Sequence, residues 1–258
     1  MTALVLVCTV ALLASLLTFY SGFGLGTLLL PAFALFFPVD QAVALTGVVH
    51  LLNGLFKLAL VRRHVDRGVL WRFGLPAVAA ALVGAWLLAG LAARPPLLEW
   101  TLGGREFVVV PVKLAIGGLL IVFAAPELSA RFRALAFAPR WIPLGGALSG
   151  FFGGLAGMQG ALRAAFLVRA GLGKETFIAT GAAIAVLIDV SRLGVYAGAM
   201  WRELSLAQVP LLVAATLSAF AGAWLGNRHL HKLTMAQVQR LVAALLFAVG
   251  AALAAGVL

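Results

Sequence analysis

Of the 258 residues, 64% are hydrophobic and only 10% are charged, with a formal net charge of +11 and a mean hydropathy of +1.11. A soluble domain is about half apolar and roughly a quarter charged, and in water this chain would expose large adhesive patches, so the composition excludes a soluble globular domain and points to lipid as the solvent. The positive charge does not indicate nucleic acid, because Lys and Arg fall in short clusters between apolar runs and make no basic face on a soluble domain.

The apolar runs are continuous, as membrane helices require, and unlike the alternating stretches of about ten residues of a membrane β-barrel. In chain order they are 3–20, 27–37, 42–61, 73–93, 107–125, 141–157, 164–168 with its flanks, 176–198, 204–226 and 241–258. Most match the roughly 17–25 residues that cross about 30 Å of hydrocarbon. Residues 3–37 and 141–171 are each too long for one span. Gly22, Gly24 and Gly26 interrupt the first, and Gly150, Gly153, Gly154, Gly157 and Gly160 the second. Each reads as a hairpin or a pair of short helices joined at a glycine-rich break. The first run lacks a basic leader and flows into Ser21-Gly22-Phe23-Gly24, not a small-residue cleavage site, so it reads as a retained segment. Cys8 is the only cysteine, which excludes an intrachain disulfide and a cysteine metal site. No cofactor is expected.

Ser21-Gly22-Phe23 and Ser149-Gly150-Phe151 open two similar halves, and Ala44-Leu45-Thr46-Gly47 is matched by Ile178-Ala179-Thr180-Gly181. After each Thr-Gly comes a helix with unusual polar residues, then two plain spans. The halves cover about 1–125 and 141–258, with a linker at 126–140, in a single transmembrane domain. Basic residues cluster at Arg62, Arg63 and Arg67, at Arg131, Arg133 and Arg140, at Arg169 and Lys174, and at Arg228, Lys232 and Arg240. The positive-inside rule places these in the cytoplasm, which leaves Arg94, Arg105 and Arg202 outside. That division holds only if 3–37 and 141–171 each enter and return on the same side. The expected fold is therefore all-α and polytopic: two inverted-topology repeats, each a broken or re-entrant pair plus three transmembrane helices. The expected location is the cell inner membrane, with both termini on the outer side.

An ionised side chain at the bilayer centre costs about 2.5–3.5 kcal/mol on insertion scales, so each one calls for a reason. Thr46, His50, Asn53 and Lys57 recur at spacings of four, three and four, on one helix face. Asp189, Arg192 and Tyr196 make a second stripe on the counterpart helix, where Asp189 and Arg192 can pair. Two such stripes predict a wet or substrate-lined seam between the halves. Alternatives stand beside that reading: Lys57 can snorkel to the cytoplasmic interface, the Asp189–Arg192 pair can fix helix packing, and His50 can hydrogen-bond a neighbouring helix. Arg72 and Lys113 read as interfacial anchors. Arg163 lies just past the second break, in Gly157-Met158-Gln159-Gly160-Ala161-Leu162-Arg163, where a re-entrant segment would point inward.

A broken helix bares backbone N–H groups at a new, partly positive N-terminus. In a membrane such ends survive only against protein or a water-filled cavity; the glycines can otherwise serve close helix packing. Two ends facing each other at mid-membrane, with Lys57, Arg163 and Arg192 in range, would make an anion site. The expected substrate-contacting set is Gly24, Gly26, His50, Asn53, Lys57, Gly157, Gln159, Arg163, Asp189 and Arg192.

The run Gly22-Phe23-Gly24-Leu25-Gly26-Thr27-Leu28-Leu29-Leu30-Pro31, followed by Pro38-Val39-Asp40-Gln41-Ala42-Val43-Ala44-Leu45-Thr46, resembles the sulfite exporter TauE/SafE family of bacterial membrane permeases. The second-half counterpart from Gly150 to Thr180 extends the resemblance over nearly the whole chain. His50-Leu51-Leu52-Asn53-Gly54-Leu55-Phe56-Lys57 is similar to the version carried by one subgroup. The resemblance implies a helical permease of two related halves that moves small anions such as sulfite, sulfoacetate or other organosulfur compounds. Where a proline often follows the second break in that family, this chain has Gln159, Gly160 and Arg163, a departure that bears on the ligand more than on the fold.

The function expected is secondary transport of a small anion by repeats that rock about a midplane site. Lys57, Arg163 and Arg192 would supply charge, Asn53 and Gln159 neutral hydrogen bonds, and His50 or Asp189 a place for a coupling proton, with sodium the other candidate coupling ion. The lipid bilayer and a second copy of the chain are the other expected partners. The absence of a phosphate-binding P-loop excludes ATP-driven pumping by this chain alone. An intramembrane enzyme is a weaker alternative, since there is no His-Glu-x-x-His motif and no second intramembrane carboxylate for Asp189 to share a proton with. A non-transporting anchor subunit is another, against which the short loops count.

Overall fold

Lipid offers a backbone no hydrogen-bond partner, so the segments that meet it must bond internally. The computed structural model describes residues 1–18, 24–128, 135–199, 206–229 and 235–258. Of the residues named above, Ser21, Gly22, Phe23, Arg131, Arg133, Arg202 and Lys232 lie outside them. The first half contains α1 (Thr2–Thr18), α2 (Leu25–Ala34), α3 (Val39–Val61), α4 (Arg67–Ala92), a hairpin of β1 (Leu98–Leu102) and β2 (Arg105–Val109), and α5 (Pro111–Leu128). The second contains α6 (Ile142–Ala156), α7 (Gly160–Leu167), α8 (Lys174–Ala199), α9 (Val209–His229) and α10 (Met235–Ala254). Among the described residues four helices are long and apolar enough to cross a bilayer, over Val39–His64, Arg67–Ala92, Lys174–Gly198 and Val209–Arg228. Their outer faces are apolar too: Leu75 is 62% exposed, Trp86 73% and Leu217 60%. Water would penalise that surface, whereas lipid tails match it. The chain is a multi-pass helical membrane protein.

The hairpin departs from the all-helical expectation. Hydropathy had assigned residues 107–109 to the following span, but they lie in β2, paired as Leu98 with Val109 and Trp100 with Phe107. Gly103 (φ 61°) and Gly104 (φ 77°) supply the left-handed two-residue turn. Trp100 stacks on Phe107 with ring centroids 4.4 Å apart, and its Nε1 donates to the Ala255 carbonyl at 3.0 Å. The signal was a Gly-Gly pair between strand-like residues, which an average over hydropathy erases.

Helix directions follow from which residues meet. His50 of α3 meets Asp189 of α8. A β-carbon added at Gly47 would meet Arg192 and Leu193, and one at Gly54 would meet Val186. Position falls along α8 as it rises along α3, so the two are antiparallel. α5 and α10 are antiparallel as well: Gly256 faces Val108, Gly117 faces Gly250 and Ala254, and Gly250 faces Leu120 and Ile121. By contrast α4 and α6 run parallel, with Gly146, Gly150 and Gly154 against Phe73, Ala77 and Ala81 in that order. α1 lies on α9, where Gly222 meets Leu12 and Leu16.

Four glycines expected within the second break are thus helical, Gly160 as the first residue of α7. Gly150 and Gly154 lie inside α6 and let its backbone close on α4, and Gly153 lies against Ile188 and Gln159. The break itself is confined to residues 157–159.

One end of the molecule gathers Arg62, Arg63, Arg67 and Lys174, since α3 ends and α4 and α8 begin there. Arg140 joins them because α6 starts alongside the start of α4. That end is fastened by His64 Nε2 to Glu175 Oε2 at 3.2 Å and by the Asp66 N–H donating to Thr180 Oγ1 at 2.9 Å. Arg140 lies over the Trp141 ring and Arg228 over Trp224, as interfacial aromatics and cations do. Arg72 is exposed near the start of α4, and Lys113 near the start of α5 donates to the Val108 carbonyl at 3.2 Å.

Candidate functional site

The second break lies against the first turn of α2. α6 ends in Gly157, whose φ of 76° turns the chain out of the helix while its N–H still reaches the Gly153 carbonyl. α2 follows Gly24, whose φ of 113° only glycine adopts without strain. A β-carbon at Gly26 would sit 2.9 Å from the Gly157 carbonyl oxygen, so backbone from one half lies directly on backbone from the other. Neither α2 nor α7 has a capping side chain at its start, which leaves first-turn N–H groups for water or a ligand.

Beside the breaks, Asp189 of α8 collects donors from three elements. His50 Nδ1 lies 2.5 Å from its Oδ2. Gln159 Nε2 donates to Oδ1 at 3.1 Å, and Arg192 Nε to the same oxygen at 2.9 Å, with Arg192 Nη2 at 2.8 Å. Gln159 is held in turn: its Oε1 accepts from Arg163 Nη1 at 3.1 Å and its backbone carbonyl from Ser149 Oγ at 2.8 Å. A continuous chain of hydrogen bonds therefore runs from Arg163 through Gln159 and Asp189 to His50. Asp189 and Arg192 are fully buried. The Arg192 guanidinium fills the space that side chains at Gly47 and Gly157 would need, and its Nη1 makes no hydrogen bond among the described residues. Tyr196, one turn on, donates its hydroxyl to the Gly154 carbonyl.

In front of this hub lies a cavity of about 40 Å³ lined by Thr18, Leu25, His50, Asn53, Gly54, Lys57, Arg163 and the α8 face of Ile178, Ala182 and Ala185. A single water needs at least about 10–15 Å³ measured this way, so the cavity holds a few waters or one small oxyanion. Lys57 and Arg163 bring positive charge to it, Asn53 an amide and His50 an imidazole. The described lining contains no carboxylate, since Asp189 stands behind His50.

The structure thus divides the expected set. His50, Asn53, Lys57 and Arg163 line the cavity, so Lys57 is turned to the seam. Gln159, Asp189 and Arg192 form the hydrogen-bonded layer behind them. Gly26, expected within the first break, lies instead in the first turn of α2 and meets Gly157 of the second break, and Gly24 precedes the lining Leu25. Unanticipated were Ser15, whose hydroxyl donates to Asn53 Oδ1 at 3.2 Å, and Thr18 at the end of α1. Ile178, Ala182 and Ala185 share the helical spacing of Asp189 and could have been read from it.

No curated protein matches the chain. The family described as sulfite exporter TauE/SafE matches residues 7–253, nearly the full length, and with a polytopic helical fold around a cationic internal site the chain belongs to the sulfite exporter TauE/SafE family, a family of membrane transporters for sulfur anions.

Proposed function

We propose that this protein is a secondary transporter of a small sulfur oxyanion or organosulfonate, such as sulfite or sulfoacetate, in the bacterial inner membrane. The observation that carries the reading is the cavity: Lys57, Arg163, Asn53 and His50 converge on it, with the acid of the site turned away. Positive charge in a low-dielectric seam attracts an anion strongly, and the uncapped start of α2 adds partial positive charge at the same place.

Two inverted repeats would alternate access to this site. An axis lying in the membrane plane makes equivalent helices antiparallel where they meet, while an axis along the normal makes them parallel. The antiparallel contacts of α3 with its counterpart α8, and of α5 with α10, support the former. The contacts of α4 with α6 and of α1 with α9 are exchanged when the halves are exchanged, which supports it further.

Arg163→Ala or Lys57→Ala is expected to slow uptake of labelled sulfite or sulfoacetate into proteoliposomes by about 10–100-fold, the worth of about 1.5–3 kcal/mol of charged hydrogen bonding. Equal amounts of reconstituted protein must be compared. Rates unchanged in both variants, or no uptake of either anion above empty vesicles by the parent protein, would remove the basis for the proposal.

The orientation gives a separate expectation. With Cys8→Ala as background, Thr2→Cys should react with a membrane-impermeant thiol reagent in intact cells, and Arg63→Cys only after permeabilisation. The reverse pattern would turn the topology over.

A further inference from the structure

We propose that His50 is the proton-carrying group of this site, taking up one proton from the cavity as an anion enters and releasing it as the anion leaves. The inference rests on the anion-transport reading above and adds the coupling ion and its residue. It stands on placement. His50 belongs to both layers of the site: its ring lines the cavity, and its Nδ1 lies 2.5 Å from Asp189 Oδ2. Its side chain is 14% exposed while that of Asp189 is 0%. A proton arriving through the cavity meets the imidazole before the carboxylate, whose oxygens already accept from His50, Gln159 and Arg192.

The step balances simply. A neutral imidazole holds Asp189 through Nδ1–H and keeps a lone pair on Nε2. A proton binds that lone pair, no other bond breaks, and the charge of the site rises by one. Histidine is the side chain suited to this change near neutral pH. The titratable groups around it are Lys57 on its own helix, Asp189 and Arg192 with Tyr196 behind them on α8, and Arg163 on α7. α2 presents Gly26 to the ring and has no titratable residue, and α9 meets α3 through Phe220 stacked on Phe56. Arg163 and Arg192 are fixed cations and Asp189 is buried behind the ring; of the two cavity-facing groups that can change charge, His50 and Lys57, His50 is the one joined to Asp189 and through it to the rest of the hydrogen-bonded layer. An added proton offsets one negative charge of the anion, which lowers the cost of carrying it through lipid depth.

The test uses sulfoacetate, whose carboxylate and sulfonate are both ionised above about pH 5, so any proton taken up belongs to the protein. Binding to the purified full-length protein is followed by calorimetry between about pH 5 and pH 8, with an indicator dye in weak buffer counting protons. The parent protein is expected to take up about one proton per anion at the upper end of that range and to lose affinity about tenfold per pH unit there. His50→Gln keeps a donor for Asp189 but cannot take a proton. Its affinity should fall, lose its pH dependence, and no proton should accompany the anions that still bind. Binding by the parent protein without proton uptake overturns the proposal, and so does a His50→Gln protein that still takes up a proton per anion. If the variant does not fold, Lys57→Arg decides, because it keeps the charge but exchanges no proton in this range: one proton per anion retained supports His50, and its loss overturns the proposal. Absence of sulfoacetate binding at every pH overturns the transport reading for this anion, and the coupling with it.

Discussion

Asp189→Asn should lower the unfolding temperature of the purified protein by about 6–12 °C and abolish anion transport. Three side chains point donors at this carboxylate: His50, Gln159 and Arg192. An asparagine offers them one oxygen and sets an NH₂ group against the rest. Arg192 is left worse, since it is fully buried and already has Nη1 without a hydrogen bond among the described residues. Removing one partner of a buried ion pair costs about 3–5 kcal/mol, because the other charge stays behind uncompensated. Partly unfolded helices in lipid also find partners, which favours the low end of that range. About 3 kcal/mol, at roughly 2–4 °C per kcal/mol for a chain of this size, gives the stated shift. Transport fails because Asp189 fixes both His50 and, through Gln159, Arg163. The double variant Asp189→Asn with Arg192→Gln separates the causes: it should unfold at a higher temperature than Asp189→Asn alone, since no orphan charge remains. A double variant less stable than the single one would mean that Arg192 stabilises through packing against Gly47 and Gly157, not through its charge.

How much of this was legible in the sequence depends on the kind of information each residue carries. Hydropathy located every long helix, because crossing hydrocarbon constrains composition residue by residue. Helical spacing put His50, Asn53 and Lys57 on one face, and they do line one cavity. Spacing cannot say what the opposing helix places against that face. Asp189 was expected to pair with Arg192, three residues on, and it does; its second partner, His50, is 139 residues away. The two sit in helices α3 and α8, which meet antiparallel, a relation fixed by tertiary packing. Gln159 reads from sequence as a neutral ligand beside the break, and its place as the link between Arg163 and Asp189 is set by how α7 packs on α8. The glycines were ambiguous for a different reason. One residue type serves both a left-handed turn, as at Gly157, and a close backbone contact, as at Gly150, and the sequence does not distinguish the two uses.

That second use carries the other large effect. Gly150→Val is expected to separate α4 from α6, costing about 3 kcal/mol or more, and to leave little folded protein after purification. A β-carbon at Gly150 would lie 2.0 Å from the Ala77 carbonyl oxygen, and the same is true at Gly154 against Ala81. Both obstacles are helical backbone, which cannot swing aside as a flexible side chain can. Lipid gives two apolar helices no hydrophobic reason to associate, so close van der Waals contact carries the seam, and a shift of an ångström along it forfeits much of that attraction. Gly118→Ala is the contrast, because nothing lies within 4 Å of its added β-carbon and the helix gains about 0.5–1 kcal/mol from the loss of glycine flexibility. The pair can be read by size-exclusion profile and unfolding temperature, with Gly118→Ala moving up and Gly150→Val down; a Gly150→Val protein as stable as its parent would show that α4 and α6 tolerate a wider gap. The seam also bears on transport. α6 ends in Gly157 and leads directly to Gln159, so displacing it pulls the amide from Asp189 and Arg163 together. Each tight seam joins helices from both halves, α4 with α6 and α1 with α9 at Gly222, and backbones this close do not slide easily. Motion that alternates access is then expected between these paired units, along the α3–α8 contact where His50 meets Asp189 and side chains, not backbones, fill the interface.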